Sequence, residues 1–134
     1  MAEALFRLEL EKCGLAGAFG VASCGVSAYP GETASVNACR AVAERGGDLS
    51  AHRARRINDE ILANTLVLVA LTKSHLDAVR EFFPAESLPP HVFALSVPDP
   101  FGATLDGYRS ARNAICEAFP RLVEFLKNLL EAKK

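Results

Sequence analysis

Absences narrow the field first. None of the apolar runs in the 134 residues is long enough to cross a bilayer: the longest, Leu66 to Leu71, falls far short of the roughly 20 residues a spanning helix needs. The four cysteines, Cys13, Cys24, Cys39 and Cys116, form no CxxC pair and outline no disulfide framework, which points to the reducing cytoplasm. His52, His75 and His91 keep no metal-ligand spacing with one another or with the cysteines, so neither a metal nor another cofactor is expected. Charge of one sign is lacking too. A net charge of −1 gives no general attraction to nucleic acid or to anionic membranes. Residues 1–12 carry Glu3, Arg7, Glu9, Glu11 and Lys12 and are neither a signal peptide nor a transit peptide. There are no repeats, linkers or low-complexity tracts. What remains is a chain with half its residues apolar and its charges mixed in sign, the profile of one globular domain over 1–134 with one core. Its oligomeric state leaves no mark in the sequence.

Periodicity then places the elements. In residues 1–12 Met1, Leu5 and Leu8 share a helical face, flanked by Phe6 and Leu10, and Gly14 is a natural stop. Phe19 to Ser23 reads as a short strand, followed by a Gly-, Pro- and Ser-rich loop. Ala34 to Glu44 reads as a helix ending at Gly46-Gly47, and Asn58 to Ala63 as a short one. Thr65 to Leu71 is apolar at every position after the threonine, as a parallel strand covered on both faces would be. Lys73 to Phe83 is an amphipathic helix closed by Pro84, and His91 to Ser96 is a further strand. From about Thr104 to Ala132, Leu105, Tyr108, Ile115, Phe119, Leu122, Leu126 and Leu129 make one apolar stripe, which Pro120 should kink or split. This is an α/β alternation that begins in mid-unit. Its first helix starts at Met1 with no capping residue ahead of it and with a free amino charge at the positive end of the helix dipole, so a preceding strand is expected.

Three stretches could carry chemistry. Cys39 and Arg45 have the Cys-x5-Arg spacing of cysteine phosphatases, but the residues between are helix formers without glycine and include Glu44, so a packed helix explains them better. Ala51 to Arg56, AHRARR, is a locally basic run, explained equally well by solvated arginines at a helix start. The loop Val97 to Gly102, VPDPFG, holds Asp99 stiffly between two prolines beyond the C-terminal end of a strand, where open parallel sheets bind ligands. Phe101 supplies an apolar wall, beside which a carboxyl keeps its proton as a general acid must.

Over essentially its whole length the chain resembles the low-molecular-weight protein-tyrosine phosphatases. Met1 to Phe6, MAEALF, is similar to the helix that follows their catalytic loop. Ser23-Cys24-Gly25 is similar to their Ser-Ala-Gly, Asp48 to Arg55 to their DLS-x-H-x-A-R run, and Asp99-Pro100-Phe101-Gly102 to their general-acid loop. The resemblance implies a three-layer α/β/α fold around an open parallel sheet, four-stranded in the family and three-stranded here because the first, central strand is absent. It implies hydrolysis of phosphotyrosine in protein substrates through a phosphocysteine, with Asp99 as general acid, Phe101 as the aromatic wall and Ser23 bracing the catalytic loop. The Cys-x5-Arg-Ser-Pro loop itself is not among the 134 residues, so the chain as written is expected to be inactive, with the missing part encoded upstream of a start codon placed too late. The DPFG form resembles bacterial members, including protein-arginine phosphatases, and related arsenate reductases are a further alternative. A catalytically dead interaction module is the rival of another class.

Overall fold

The apolar run after Thr65 forms a strand whose side chains leave it in both directions. The computed structural model describes residues 1–26, 28–98, 100 and 104–132. In it β1, Val67–Ala70, pairs in parallel with β2, His91–Ala94, in the register Val67 with His91 through Ala70 with Ala94. Val67 and Val69 pack towards helices α1 (Ala2–Lys12), α5 (Leu105–Glu117) and α6 (Phe119–Ala132), and Val69 also meets the cluster that holds α2 (Val36–Ala43). Leu68 packs the other way, with Leu62 of α3 (Asp59–Ala63) and Val79 of α4 (Lys73–Phe82). Helices on both faces of a parallel sheet make the expected three-layer α/β/α arrangement.

Local chemistry sets the helix ends. Ser35 caps α2 by accepting from Ala38 N–H at 3.2 Å, which moves its start two residues beyond Ala34. Asn58, Thr72 and Thr104 cap α3, α4 and α5 in the same way. The stripe from Thr104 to Ala132 is two helices, broken at Ala118 just ahead of Pro120, whose missing N–H is harmless in a first turn. Tyr108, Ile115, Phe119, Leu122 and Leu126 are buried along it, as the stripe implies. Phe125 meets the rings of His91 and Phe93 edge-on at 5.1 and 4.8 Å, seating α6 on β2. The stop after α2 needs both of its glycines: Gly46 has φ +86°, and a Cβ on Gly47 would lie 2.5 Å from Val42 Cγ1.

One expected element does not form. Phe19 to Ser23 is not a strand, and the sheet of the described residues has two strands rather than three. The physical reason is pairing, since a strand exists only through a neighbour, and no strand among the described residues lies against this one. The alternation survives nonetheless: Phe19 and Val21 pack with Val67 on the α1 and α6 side, and Cys24 packs with Leu68 on the other. In keeping with the open edge, Val67, Leu68 and Val69 are only half-buried, less than their composition implies.

A polar knot joins α2 to α5. Glu44 accepts from Arg109 Nη2 at 2.6 Å and from the buried Arg112 Nη1 at 2.6 Å, while Arg112 also donates to Ala41 C=O at 3.0 Å. The hydrogen bonds from Arg109 and then Arg112 hold the Glu44 carboxyl at about 2 against an ordinary 4.5. A carboxylate depressed in the folded state stabilises it above its unfolded value, so that stability is lost as pH falls from 4.5 towards about 2. Glu44→Gln is expected to lower the urea midpoint at neutral pH and to flatten its pH dependence across that window. An unchanged slope would show that other carboxylates govern acid unfolding.

Candidate active site

Beyond the C-terminal ends of both strands lies a cavity of about 100 Å³. Leu71, one residue past β1, and Val97, three past β2, form part of its wall, with Met1 from the start of α1, His75 from α4, and Pro98 and Pro100. The prolines on either side of Asp99 therefore face the beginning of α1 across one apolar space. Asp99 and Phe101 themselves lie outside the described residues, as does Gly102. Met1 caps α1 without a side-chain hydrogen bond, and burial lowers the pKa of its amino group, with the charges of Glu3 and Cys39 acting in the opposite sense.

Ser23 is fastened to the same helix start. Its hydroxyl donates to Glu3 Oε1 at 2.8 Å, and Arg7, one turn on, donates to Glu3 Oε2 at 3.1 Å and to Val21 C=O at 2.9 Å. Burial pushes the Glu3 carboxyl up, but the hydrogen bonds from Ser23 and Arg7 outweigh it and hold the group below its ordinary value. Glu3 thus stays an anion that fixes the rotamer of Ser23. In the sequence Glu3 and Arg7 are two of several charges on the first helix, four apart, with nothing local to single them out.

A second cavity, of about 220 Å³, opens on the far side of Ser23, with Cys24, Gly25, Ala28, His52 and Arg55 around it. Its wall explains the run from Asp48 to Arg56. Asp48 Oδ1 accepts from Ser50 N–H at 2.8 Å, Leu49 is buried beneath that turn, and His52 N–H closes on Leu49 C=O at 3.1 Å. The arginines then tie down carbonyls: Arg53 donates to His52 C=O at 2.8 Å, Arg55 to Ser23 C=O at 3.2 Å and Arg56 to Ala28 C=O at 3.2 Å. The arginines of the run are exposed, as solvated side chains are, but they do not start a helix: Arg53 ties its own turn, while Arg55 and Arg56 fasten the loop that carries Ser23.

Neither Cys24 nor Cys116 has the lowered pKa of an activated thiol. Cys39 lies in α2, four residues after its Ser35 cap, and packs half-buried against the core. Burial pushes the Cys24 thiol up, only partly opposed by Arg55, and burial raises Cys116 likewise. Among the described residues no three His, Cys, Asp or Glu side chains stand together as metal ligands, and no helix is long and apolar enough to cross a membrane.

The family model for the low molecular weight phosphotyrosine protein phosphatases matches residues 1–133. A protein-arginine-phosphatase of Geobacillus stearothermophilus is 32% identical over 80% of this chain and 76% of its own length. A low molecular weight protein-tyrosine-phosphatase of Streptomyces coelicolor is 29% identical over 99% of this chain and 88% of its own. The solved structure of the YwlE arginine phosphatase from Geobacillus stearothermophilus superposes with a TM-score of 0.83 at 30% identity, covering 99% of this chain and 87% of that one. The chain therefore belongs to the low molecular weight phosphotyrosine protein phosphatase family.

Proposed function

We propose that these residues form the body of a phosphomonoester hydrolase acting on phosphorylated protein in the cytoplasm, with Asp99 as general acid, Phe101 as the wall of the substrate pocket and Ser23 as the brace of the nucleophile loop. The observation that carries this is the shared cavity: Met1 and the two prolines around Asp99 line one space at the C-terminal ends of the strands. The 134 residues contain no Cys-x5-Arg-Ser sequence, so the chain as written has no nucleophile and does not turn over. A nucleophile loop joined ahead of Met1 would turn its buried amine into a neutral amide and supply the cap that α1 lacks.

In the completed site the cysteine thiolate attacks phosphorus and the bond to the leaving oxygen breaks, with the proton of Asp99 passing to that oxygen. The Asp99 carboxylate then takes a proton from water, whose oxygen attacks phosphorus and returns the thiolate as phosphate leaves. Ser23 would meet that loop with a hydroxyl whose proton is already committed to Glu3.

Phosphotyrosine is the default substrate. Phosphoarginine is the second, because two relatives at 32% and 30% identity are named protein-arginine-phosphatases. The test adds a strand and a Cys-x5-Arg-Ser-Pro loop ahead of Met1 and follows phosphate release from phosphotyrosine and phosphoarginine peptides side by side. Release from either by the extended chain and from neither by the 134-residue chain is the expected result. A folded extended chain that releases no phosphate sinks the proposal.

A further inference from the structure

The junction between β1 and α4 meets the chain on both sides of Asp99. Val97 N–H donates to Leu71 C=O at 2.9 Å, a rung beyond the end of the β1–β2 ladder. One residue after Leu71, Thr72 caps α4 by accepting from His75 N–H at 3.1 Å. That cap sets His75 in the first turn of α4, where its exposed side chain lines the cavity of about 100 Å³ together with Pro98 and Pro100. Further on, Thr104 caps α5 by accepting from Gly107 N–H at 3.3 Å, which ties down the other end of the loop.

Between those two ties the loop is short of donors. A turn ordinarily closes on its own N–H groups, but Pro98 and Pro100 have none. The carbonyls left unmatched need a donor from outside the loop. Among the described residues around the cavity, His75 has the one side chain that carries an N–H, since the others are aliphatic, thioether or proline. Its backbone N–H is spent on Thr72, and its imidazole makes no hydrogen bond to another described residue. A donor without a partner thus stands across one small space from a turn without donors.

We infer, resting on the reading of Asp99 as general acid, that His75 is its positioning residue: an imidazole N–H holds the turn at Asp99 in place of the donors that the prolines lack. Asp99 lies outside the described residues, and its neighbours Pro98 and Pro100 are what stand on the cavity with His75. His75 touches no reacting atom and acts through the loop alone.

Two variants separate the ring from its donor. His75→Phe keeps a ring and removes both nitrogens, whereas His75→Gln keeps an N–H. Because His75 is exposed, both should unfold in urea near the parent midpoint. In the 134-residue chain, His75→Phe is expected to lower the heteronuclear NOE of the Asp99, Phe101 and Gly102 amides, a loss of order on the picosecond to nanosecond scale. His75→Gln should restore it. In the chain extended by the strand and nucleophile loop, His75→Phe is expected to slow cysteine phosphorylation about tenfold on phenyl phosphate, roughly the worth of one hydrogen bond. On 4-nitrophenyl phosphate it should cost little, and His75→Gln should recover most of the loss. In the Asp99→Asn background, His75→Phe should cost nothing more. Unchanged NOE values, equal slowing on both esters, or an undiminished loss on top of Asp99→Asn overturns the inference. An extended chain that releases no phosphate sinks the catalytic proposal instead, and the loop amides then decide the role of His75 by themselves.

Discussion

In the chain extended by the strand and nucleophile loop, Asp99→Asn is expected to slow cysteine phosphorylation on phenyl phosphate by about 10² to 10⁴, the usual range for a lost general acid. On an activated ester such as 4-nitrophenyl phosphate the same change should cost far less, because that leaving oxygen departs without a proton. Rapid-quench measurement of the phosphocysteine isolates this step from the hydrolysis that follows. A split between the two substrates is the signature of proton donation. Equal slowing on both would mean that Asp99 shapes the loop and donates nothing. The flanking prolines strengthen the test, since asparagine fits the same restricted backbone and leaves the lining by Pro98 and Pro100 in place.

Leu10→Ala is expected to destabilise the fold by about 3 kcal/mol, the middle of the range for a leucine removed from a closed core. Leu10 is 1% exposed and, with Leu15, Val123 and Leu126, forms the seam between α1 and α6. Little can collapse into the hole, because Phe6, Phe19 and Val21 already press on the same cluster. A loss of that size multiplies the unfolding constant by about 150, a large part of the stability of an ordinary small domain. Urea unfolding followed by far-UV circular dichroism measures it. Val36→Ala, at a position 68% exposed, is the matched control and should leave the midpoint nearly where it was. A loss below about 1 kcal/mol at Leu10 would mean that α6 slides to refill the seam.

How much of this was legible depended on whether the signal was local. The division of the C-terminal stripe was written in Pro120, whose effect needs nothing beyond its own ring. The run from Thr65 to Leu71 announced a strand with two covered faces, because period and composition state that directly. Phe19 to Ser23 carried the same kind of signal and failed, for pairing is a property of two segments and only one of them can be read at a time. The candidate site divides along the same line. Asp99 and Phe101 stood out through their neighbours in sequence, and Ser23 through a motif. That Ser23 is oriented by Glu3, 20 residues away, and that its carbonyl is held by Arg55, 32 residues away, had no sequence signature. The arginines of AHRARR are on the surface as their composition implies, but that Arg55 and Arg56 also fasten carbonyls there is not written in the letter R.

The knot at Glu44 also has a kinetic side. Its partners Arg109 and Arg112 lie 65 and 68 residues further along the chain, so its hydrogen bonds close a long loop. Contacts of that span form only after α2 and α5 have docked, late on the way to the native state. Interactions absent from the rate-limiting assembly leave the folding rate almost untouched and act on the lifetime of the folded molecule. Acid that protonates Glu44 then shortens the life of the native chain while letting it re-form at nearly its usual speed.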